Sequence, residues 1–185
     1  MTPGTKSKIP VLDGVVLSRT ITPTIPPTFL SRRHLFPLFG QDKTGVTLVV
    51  APSGYGKTTL VAEWVQSQTK PVIWTTFSER DSAESLVRLL LQSIYNAIPN
   101  FPKIDPKISD GKIDRTVIDF CNEFENFPGE YIWVMDNVED IDKDFGKTAE
   151  LFLEILPRNI QMVSIRKFQA SIPSKRYEKV KNFHL

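Results

Sequence analysis

Short apolar runs and amphipathic stretches alternate along most of the chain. Four runs consist almost wholly of apolar residues, are rich in β-branched side chains and are flanked by polar segments. Runs of this kind are typical of strands that are buried on both faces of a parallel sheet. The predicted strands are residues 46–51, 71–77, 131–136 and 160–165, and a short fifth strand is predicted within 174–185.

Between these runs, apolar residues recur at the spacing of a helix that has one buried side. The helices predicted from this spacing are residues 57–68, 81–98, 113–127 and 147–156. Asp81 and Glu84 have the D-x-x-E spacing of a capping pair at the start of the second helix. A shorter helix is predicted between Ser31, as its cap, and Gly40. Strands that alternate with helices predict an α/β fold, a three-layer α/β/α sandwich with a mostly parallel five-stranded sheet.

Residues 1–28 differ in composition from the rest of the chain. They are rich in Thr and Pro and end in TITPTIPPT, which disfavours helix and predicts an extended N-terminal arm or linker. Residues 29–185 are then expected to form one domain, since 185 residues suffice for a single sizeable core. The chain begins without the apolar segment of a signal peptide, and no run reaches the ~18 apolar residues of a membrane span. We therefore expect a cytoplasmic protein with no membrane partner.

Charge and cysteine content narrow the function classes. The net charge of +2 does not require nucleic acid as a partner. Residues 166–185 carry six Lys or Arg against one Glu, but lack a recognition-helix pattern, so we interpret them as a solvated surface or one that meets another domain. The single cysteine, Cys121, excludes an intramolecular disulfide. His34 and His184 have no partner at metal-ligand spacing.

The stretch VVAPSGYGKTTL, residues 49–60, contains the strongest chemical signal. Residues 51–58 fit the Walker A pattern A/G-x-x-x-x-G-K-S/T, here with Ala in the first place. Its glycines let successive backbone N–H groups turn inward around an anion, and the following helix adds its N-terminal amides and dipole. Lys57 supplies a positive charge for the β- and γ-phosphates, and Thr58 a hydroxyl for Mg²⁺. The predicted nucleotide-binding residues are Ser53, Gly54, Tyr55, Gly56, Lys57, Thr58 and Thr59.

The stretch YIWVMD, residues 131–136, is an apolar strand that runs into Asp136. This is the layout of a Walker B strand, whose acidic residue holds Mg²⁺ through water at the mouth of the sheet. A strand-terminal Asp that caps a turn is the alternative, but the Walker A loop favours the metal role. Thr58 and Asp136 are thus the predicted Mg²⁺ residues.

These motifs resemble those of a known family. APSGYGKTTLVAEW (51–64) is similar to the nucleotide-binding loop of the MalT-like signal-transduction ATPases of the STAND class. FLSRRHLFPLF (29–39) is similar to the family segment that places an arginine near the nucleotide, which implies that role for Arg32, with Arg33 as the alternative. IQMVSIRKFQASIPSKRYEKVKNFHL (160–185) resembles the segment in which a strand ends in a sensor arginine, here Arg166. The resemblance extends over about residues 25–185.

This resemblance implies a P-loop NTPase fold with ATP or ADP and Mg²⁺ as cofactors. It implies an ATP/ADP-binding regulatory switch domain of a signal-transduction ATPase, within a transcriptional regulator. Family members continue into C-terminal sensor and DNA-binding domains, so residues 29–185 are expected to be part of a larger regulator. Its partners would be adenine nucleotide, those further domains and, in a nucleotide-dependent way, other copies of itself, without direct nucleic-acid binding by this part.

One residue departs from the family pattern. The family usually follows its Walker B Asp with a second acid, whereas this chain has Asn137 in MDNVED. An amide orients water but cannot accept its proton, and Glu139 and Asp140 stand at a different spacing. With Asp136 and Asn137 as the catalytic candidates, we expect slow or absent hydrolysis, at most a weak ATPase.

The alternative function is a P-loop kinase that phosphorylates a small molecule. Such kinases close a lid with arginines over the phosphates. The candidate lid, residues 100–112, contains no arginine, which favours the regulatory function.

Overall fold

Five parallel strands form the centre of the structure, a computed structural model that describes residues 10–39, 45–105, 113–140, 146–167 and 181–184. The strands are β1 (Val46–Val50), β2 (Val72–Thr76), β3 (Tyr131–Asp136), β4 (Ile160–Arg166) and β5 (Lys181–His184). They form one sheet in the order β2-β3-β4-β1-β5, and each neighbouring pair is parallel. The predicted parallel five-stranded sheet is confirmed.

The strand order determines which residues meet at the carboxyl edge of the sheet. β4 lies between β1 and β3, with Arg166 opposite Val50 of β1 and Ser164 opposite Met135 of β3. Because parallel strands end at the same edge, the loop after β1, the end of β3 and the end of β4 are neighbours. The polar residues that follow these three strands are therefore brought to one place.

In the part of the chain that the structure describes, four α-helices cover the two faces of the sheet. They are α1 (Lys57–Gln66), α2 (Ala83–Ala97), α3 (Ile113–Asn126) and α4 (Gly146–Glu154). Side chains of α1 pack with one set of strand residues, which includes Trp74 and Val163. Those of α2, α3 and α4 pack with the alternate set, which includes Trp133 and Met162. Since alternate strand residues point to opposite faces, the helices form two outer layers, and the predicted three-layer α/β/α sandwich is confirmed.

The start of α2 differs from the predicted capping pair. Ser82 is the N-cap, and its hydroxyl accepts a hydrogen bond from the Ser85 backbone N–H at 3.2 Å. Asp81 instead accepts a hydrogen bond from the Ser78 backbone N–H and forms an ion pair with Arg19. The D-x-x-E prediction is wrong because an arginine far away in the sequence binds the carboxylate.

The short helix predicted between Ser31 and Gly40 is also different. Residues Arg33–Leu38 form a 3-10 helix that contains Pro37. Proline removes a backbone donor and disfavours an α-helix interior. Ser31 does not cap this helix, because its hydroxyl donates to Glu63 Oε1 of α1 at 2.7 Å. The predicted end at Gly40 lies outside the described residues.

The described part of the N-terminal arm, residues 10–28, lies against the domain. It contains a 3-10 turn at Leu17–Arg19. The Leu12 backbone N–H donates to Gln92 Oε1 at 2.7 Å, and Asn96 Nδ2 donates to Thr20 Oγ1 at 2.6 Å. Both partners belong to α2, so this segment is fastened to one helical layer.

Some sequence predictions fall outside the described residues. Loop 100–112 is described only to residue 105, and the basic segment 166–185 only at 166–167 and 181–184. None of the helices in the described ranges has the length and apolar character needed to cross a membrane.

Candidate functional site

The loop between β1 and α1 contains two glycines in a left-handed backbone conformation. Gly54 and Gly56 have φ angles of 85° and 75°, in the left-handed region that residues with a Cβ rarely adopt. A Cβ added at either glycine would meet no atom within 4 Å, so the backbone conformation and not crowding requires glycine. Residues 52–56 are exposed, and Gly56 directly precedes the first turn of α1. The loop therefore presents backbone groups and a helix N-terminus at the surface.

The side chain of Lys57 spans this loop. The residue is 8% exposed, and its ammonium donates hydrogen bonds to the carbonyl oxygens of Ala51 at 2.7 Å and Pro52 at 3.0 Å. No carboxylate is among these partners. The positive charge is thus held inside the loop by neutral groups, where an anion can compete for it.

Thr58 and Asp136 meet at the end of β3. The Thr58 hydroxyl donates to Asp136 Oδ2 at 3.0 Å, and the Asn137 backbone N–H donates to Asp136 Oδ1 at 3.0 Å. Asp136 is 3% exposed. Burial raises the pKa of Asp136 above its ordinary value, and the two hydrogen bonds offset only part of this effect. A nearby cation would relieve the cost of the buried carboxylate.

These two oxygen donors fit a hard divalent cation such as Mg²⁺. Among the described residues, no group of three or more His, Cys, Asp or Glu side chains is arranged to hold a metal. Mg²⁺ would thus draw most of its ligands from phosphate oxygens and water, as it commonly does in nucleotide sites.

Asn137 follows Asp136 directly and has a φ of 57°. Asparagine is among the few non-glycine residues that tolerate this left-handed conformation. Its position is at the carboxyl edge of the sheet, next to the Thr58–Asp136 pair. The structure thus places the predicted water-positioning residue beside the predicted metal residues.

Arg166 lies at the same edge, at the end of β4. Its Nε donates to Ser164 Oγ at 3.1 Å, and its carbonyl oxygen accepts from the backbone N–H of Ala51 at 3.4 Å. Burial lowers the pKa of Arg166, and the charge of Glu139 partly opposes this shift. Glu139 itself forms an ion pair of 3.6 Å with Lys167. The predicted sensor arginine therefore adjoins the first residue of the Walker A loop.

The two alternative arginines of the N-terminal segment have different partners. Arg32 Nη1 donates to the carbonyl oxygen of Tyr55, in the loop, at 2.8 Å. Arg33 Nε donates to Glu63 Oε1 of α1 at 2.9 Å. Burial opposes ionisation of Glu63, but hydrogen bonds from Ser31 and Arg33 outweigh it, and the pKa of Glu63 is lowered. Of the two, Arg32 is the one that contacts the loop.

A cavity of about 260 Å³ opens beside the loop; we call it the side cavity. Residues between 26 and 32 form one wall. The loop and the first turn of α1 form the other. Its lining residues are Pro26, Thr28, Phe29, Leu30, Arg32, Gly54, Tyr55, Gly56, Thr59 and Leu60. The walls combine apolar side chains, such as those of Phe29 and Leu30, with the polar side chains of Thr28, Arg32 and Thr59, so the cavity offers both kinds of surface to a ligand.

The sequence prediction missed the contribution of residues 26–30 to this cavity. Residues 26–28 belong to the stretch interpreted as an arm or linker, and their Thr- and Pro-rich composition carries no signal for a binding wall. Phe29 and Leu30, two large apolar residues directly before the arginine pair, are the local feature that could have indicated one.

No model of a protein family matches the chain. The chain is 30% identical over 132 residues to the HTH-type transcriptional regulator MalT of Vibrio cholerae, a match that covers 66% of this chain and 14% of that regulator. It is 25% identical over 144 residues to MalT of Yersinia enterocolitica, covering 75% of this chain and 16% of that protein. The chain thus spans less than a fifth of the length of these curated relatives.

A solved structure shows a similar fold at low sequence identity. A chain in the structure of Drosophila ORC bound to AT-rich DNA and Cdc6 matches with a TM-score of 0.53 at 12% identity. The match covers 83% of this chain and 52% of that chain.

Proposed function

Since this chain is a P-loop domain of the MalT-like type, we propose that it binds ATP and ADP and acts as a nucleotide-controlled switch within a transcriptional regulator. The observation that carries the proposal is the meeting of three features at one edge of the sheet. These are the glycine-containing loop with its buried Lys57, the Thr58–Asp136 pair, and the side cavity next to the loop.

The phosphates are proposed to bind in the loop. Their oxygens would take the Lys57 ammonium from the carbonyl groups of Ala51 and Pro52, and would accept hydrogen bonds from the N–H groups around Gly54 and Gly56. Ser53 of the loop and Thr59 of the first turn of α1 flank these groups. Thr58 and Asp136 would hold Mg²⁺, which supplies positive charge against the phosphates.

The base is proposed to occupy the side cavity, against Phe29, Leu30 and Tyr55. Adenine is the base that the family resemblance implies. Arg32 spans the loop and this cavity, because it donates to the Tyr55 carbonyl while lining the cavity wall. It is therefore placed to respond to whether a nucleotide is bound.

Hydrolysis is proposed to be slow or absent. Asn137 stands where the family has an acid, and an amide cannot accept a proton from the attacking water. Glu139, the nearest described alternative, is engaged with Lys167. A long-lived triphosphate state suits a switch more than a turnover enzyme, because the two nucleotide states then persist.

Arg166 is proposed to distinguish ATP from ADP. It ends a central strand next to the loop, so a γ-phosphate would attract it while a diphosphate would do so less. In a STAND-class regulator located in the cytoplasm, this difference would bias contacts with C-terminal sensor and DNA-binding domains and with other copies of the protein.

The substitution Lys57→Ala tests the assignment of the loop. It removes the positive charge for the phosphates, so calorimetric titration with Mg-ATP should show a loss of binding of at least about 100-fold. Lys70→Ala is the matched control, since Lys70 is a lysine paired with Glu130 at 2.9 Å. Unchanged Mg-ATP affinity of Lys57→Ala, with the protein folded by circular dichroism, would overturn the proposal.

A further inference from the structure

We propose that the Arg19–Asp81 ion pair is a positioning element for the nucleotide base, because it holds the wall of the side cavity in place from a distance. The wall belongs to residues 10–32, which we call the N-terminal strap. This inference rests on the proposed binding of nucleotide. It assigns a role to two residues that touch neither the loop nor the cavity.

The ion pair is well fixed. Arg19 Nη1 donates to Asp81 Oδ1 at 2.9 Å, and Nη2 donates to Asp81 Oδ2, so the guanidinium and the carboxylate form a two-pronged contact. Arg19 Nε also donates to the carbonyl oxygen of Thr76 at 2.9 Å. The Asp81 side chain is 6% exposed and accepts a further hydrogen bond from the Ser78 N–H. Such paired, charge-assisted bonds are stronger and more directional than single ones.

Further hydrogen bonds join the strap to α2, the helix that begins two residues after Asp81. Thr20 is 2% exposed and accepts from Asn96 Nδ2 at 2.6 Å. Asn96 Oδ1 accepts from Gln92 Nε2 at 3.0 Å, and Gln92 Oε1 accepts from the Leu12 N–H at 2.7 Å. Residues 10–20, the first half of the strap, are therefore bound to the layer of helices that lies on the opposite face of the sheet from α1.

The second half of the strap is fastened to the α1 side. Ser31 donates to Glu63 of α1 at 2.7 Å, and Arg32 donates to the Tyr55 carbonyl at 2.8 Å. Ile25 packs against the hydrophobic cluster on this face. β2 is the outermost strand on one side of the sheet, and Arg19 binds the carbonyl of its last residue, Thr76. We infer that the strap passes from one helical layer to the other beside the end of this strand.

Between its two fastenings, the strap has little freedom. Pro23, Pro26 and Pro27 lie within residues 20–31, and closely spaced prolines make a segment stiff and extended. A stiff segment that is fixed at both ends holds what lies between them, here Pro26, Thr28, Phe29 and Leu30 of the cavity wall. Release of the Arg19 end would let this wall move away from Tyr55 and Thr59.

Loss of the Arg19–Asp81 ion pair should affect binding of the nucleotide base and not of the phosphates. The loop that binds phosphates is built from β1 and α1 and does not depend on the first half of the strap. Loss of the ion pair should therefore weaken binding of a nucleotide but not of a phosphate chain alone. The apparent dissociation constant rises in proportion as the fraction of molecules with the wall in place falls.

The test compares Mg-ATP with Mg-tripolyphosphate on the full chain by calorimetric or competition titration. For Arg19→Ala and for Asp81→Asn, which retains an oxygen for the Ser78 N–H, we expect the Kd for Mg-ATP to rise roughly tenfold and that for Mg-tripolyphosphate to stay within about twofold. Lys70→Ala, which breaks an ion pair outside the strap, should change neither. As a second readout, Mg-ATP should slow amide hydrogen exchange of residues 21–30 in the wild type and not in Arg19→Ala.

Three results would overturn the inference. One is an unchanged Kd for Mg-ATP in both variants, and another is an equal loss of affinity for both ligands, which indicates general disruption. A wild-type chain that binds tripolyphosphate as tightly as ATP would also overturn it while leaving the phosphate loop intact. Failure of the wild type to bind either ligand would instead contradict the proposed function itself.

Discussion

At the carboxyl edge of the sheet, hydrogen bonds to neighbouring groups hold the side chains of Lys57, Thr58 and Arg166. Lys57 is fixed by the carbonyls of Ala51 and Pro52, and Thr58 is fixed by Asp136. Arg166 is oriented by the Ser164 hydroxyl. In the proposed complex, the phosphate chain and its cation would replace the partners in these hydrogen bonds. Binding would then require little reordering of these side chains.

The substitution Asn137→Asp should increase ATP hydrolysis. It supplies a carboxylate at the position next to Asp136, and general-base assistance contributes about 100-fold or more to such steps. Aspartate also tolerates the left-handed φ of 57° at this position, so the fold should persist. Single-turnover hydrolysis of Mg-ATP measures the effect.

Its control is the double substitution Asp136→Asn with Asn137→Asp, which retains the added acid but weakens the proposed hold on Mg²⁺. This variant should stay as slow as the wild type. An unchanged rate in Asn137→Asp, with Mg-ATP binding intact, would show that the missing acid is not what limits hydrolysis.

Local sequence predicted the strands and helices to within a few residues, because burial on both faces requires apolar runs in the sheet. β3, Tyr131–Asp136, has the predicted bounds. Helix starts were less predictable, because the side chain of a polar residue can bind either a nearby backbone N–H as a cap or a group that is distant in the sequence. Asp81 binds Arg19, 62 residues away, and Ser31 binds Glu63 rather than a backbone N–H of its own segment.

The start of α2 provides a test at the scale of elements. Ser82→Ala removes the N-cap acceptor of the Ser85 N–H and should lower the free energy of unfolding by about 1 kcal/mol. Glu84→Ala removes a partly exposed ion pair with Arg88 and should cost less than about 0.5 kcal/mol. Urea denaturation of the two variants gives both values, and the reverse ranking would mean that Glu84 caps α2.

In the whole molecule, the features that sequence did not predict are those that join distant segments. The Walker motifs predicted the loop and Asp136, because their spacing reflects local strand-to-turn chemistry. The wall of the side cavity was not predicted, since Arg32 and Tyr55 are 23 residues apart and residues 26–28 have the composition of a linker. The position of β4 between β1 and β3 also depends on tertiary packing, and the apolar sequence of one strand does not predict it.

For the whole molecule, we propose that this domain binds adenine nucleotides and responds differently to ATP and ADP. A ligand shifts a switch only through its different affinity for the two states. The most direct measurement is a calorimetric titration of the chain with Mg-ATP and, separately, with Mg-ADP. We expect both nucleotides to bind at one site per chain, with distinct dissociation constants. Binding of neither nucleotide would contradict the nucleotide site, and identical constants for both would contradict the switch.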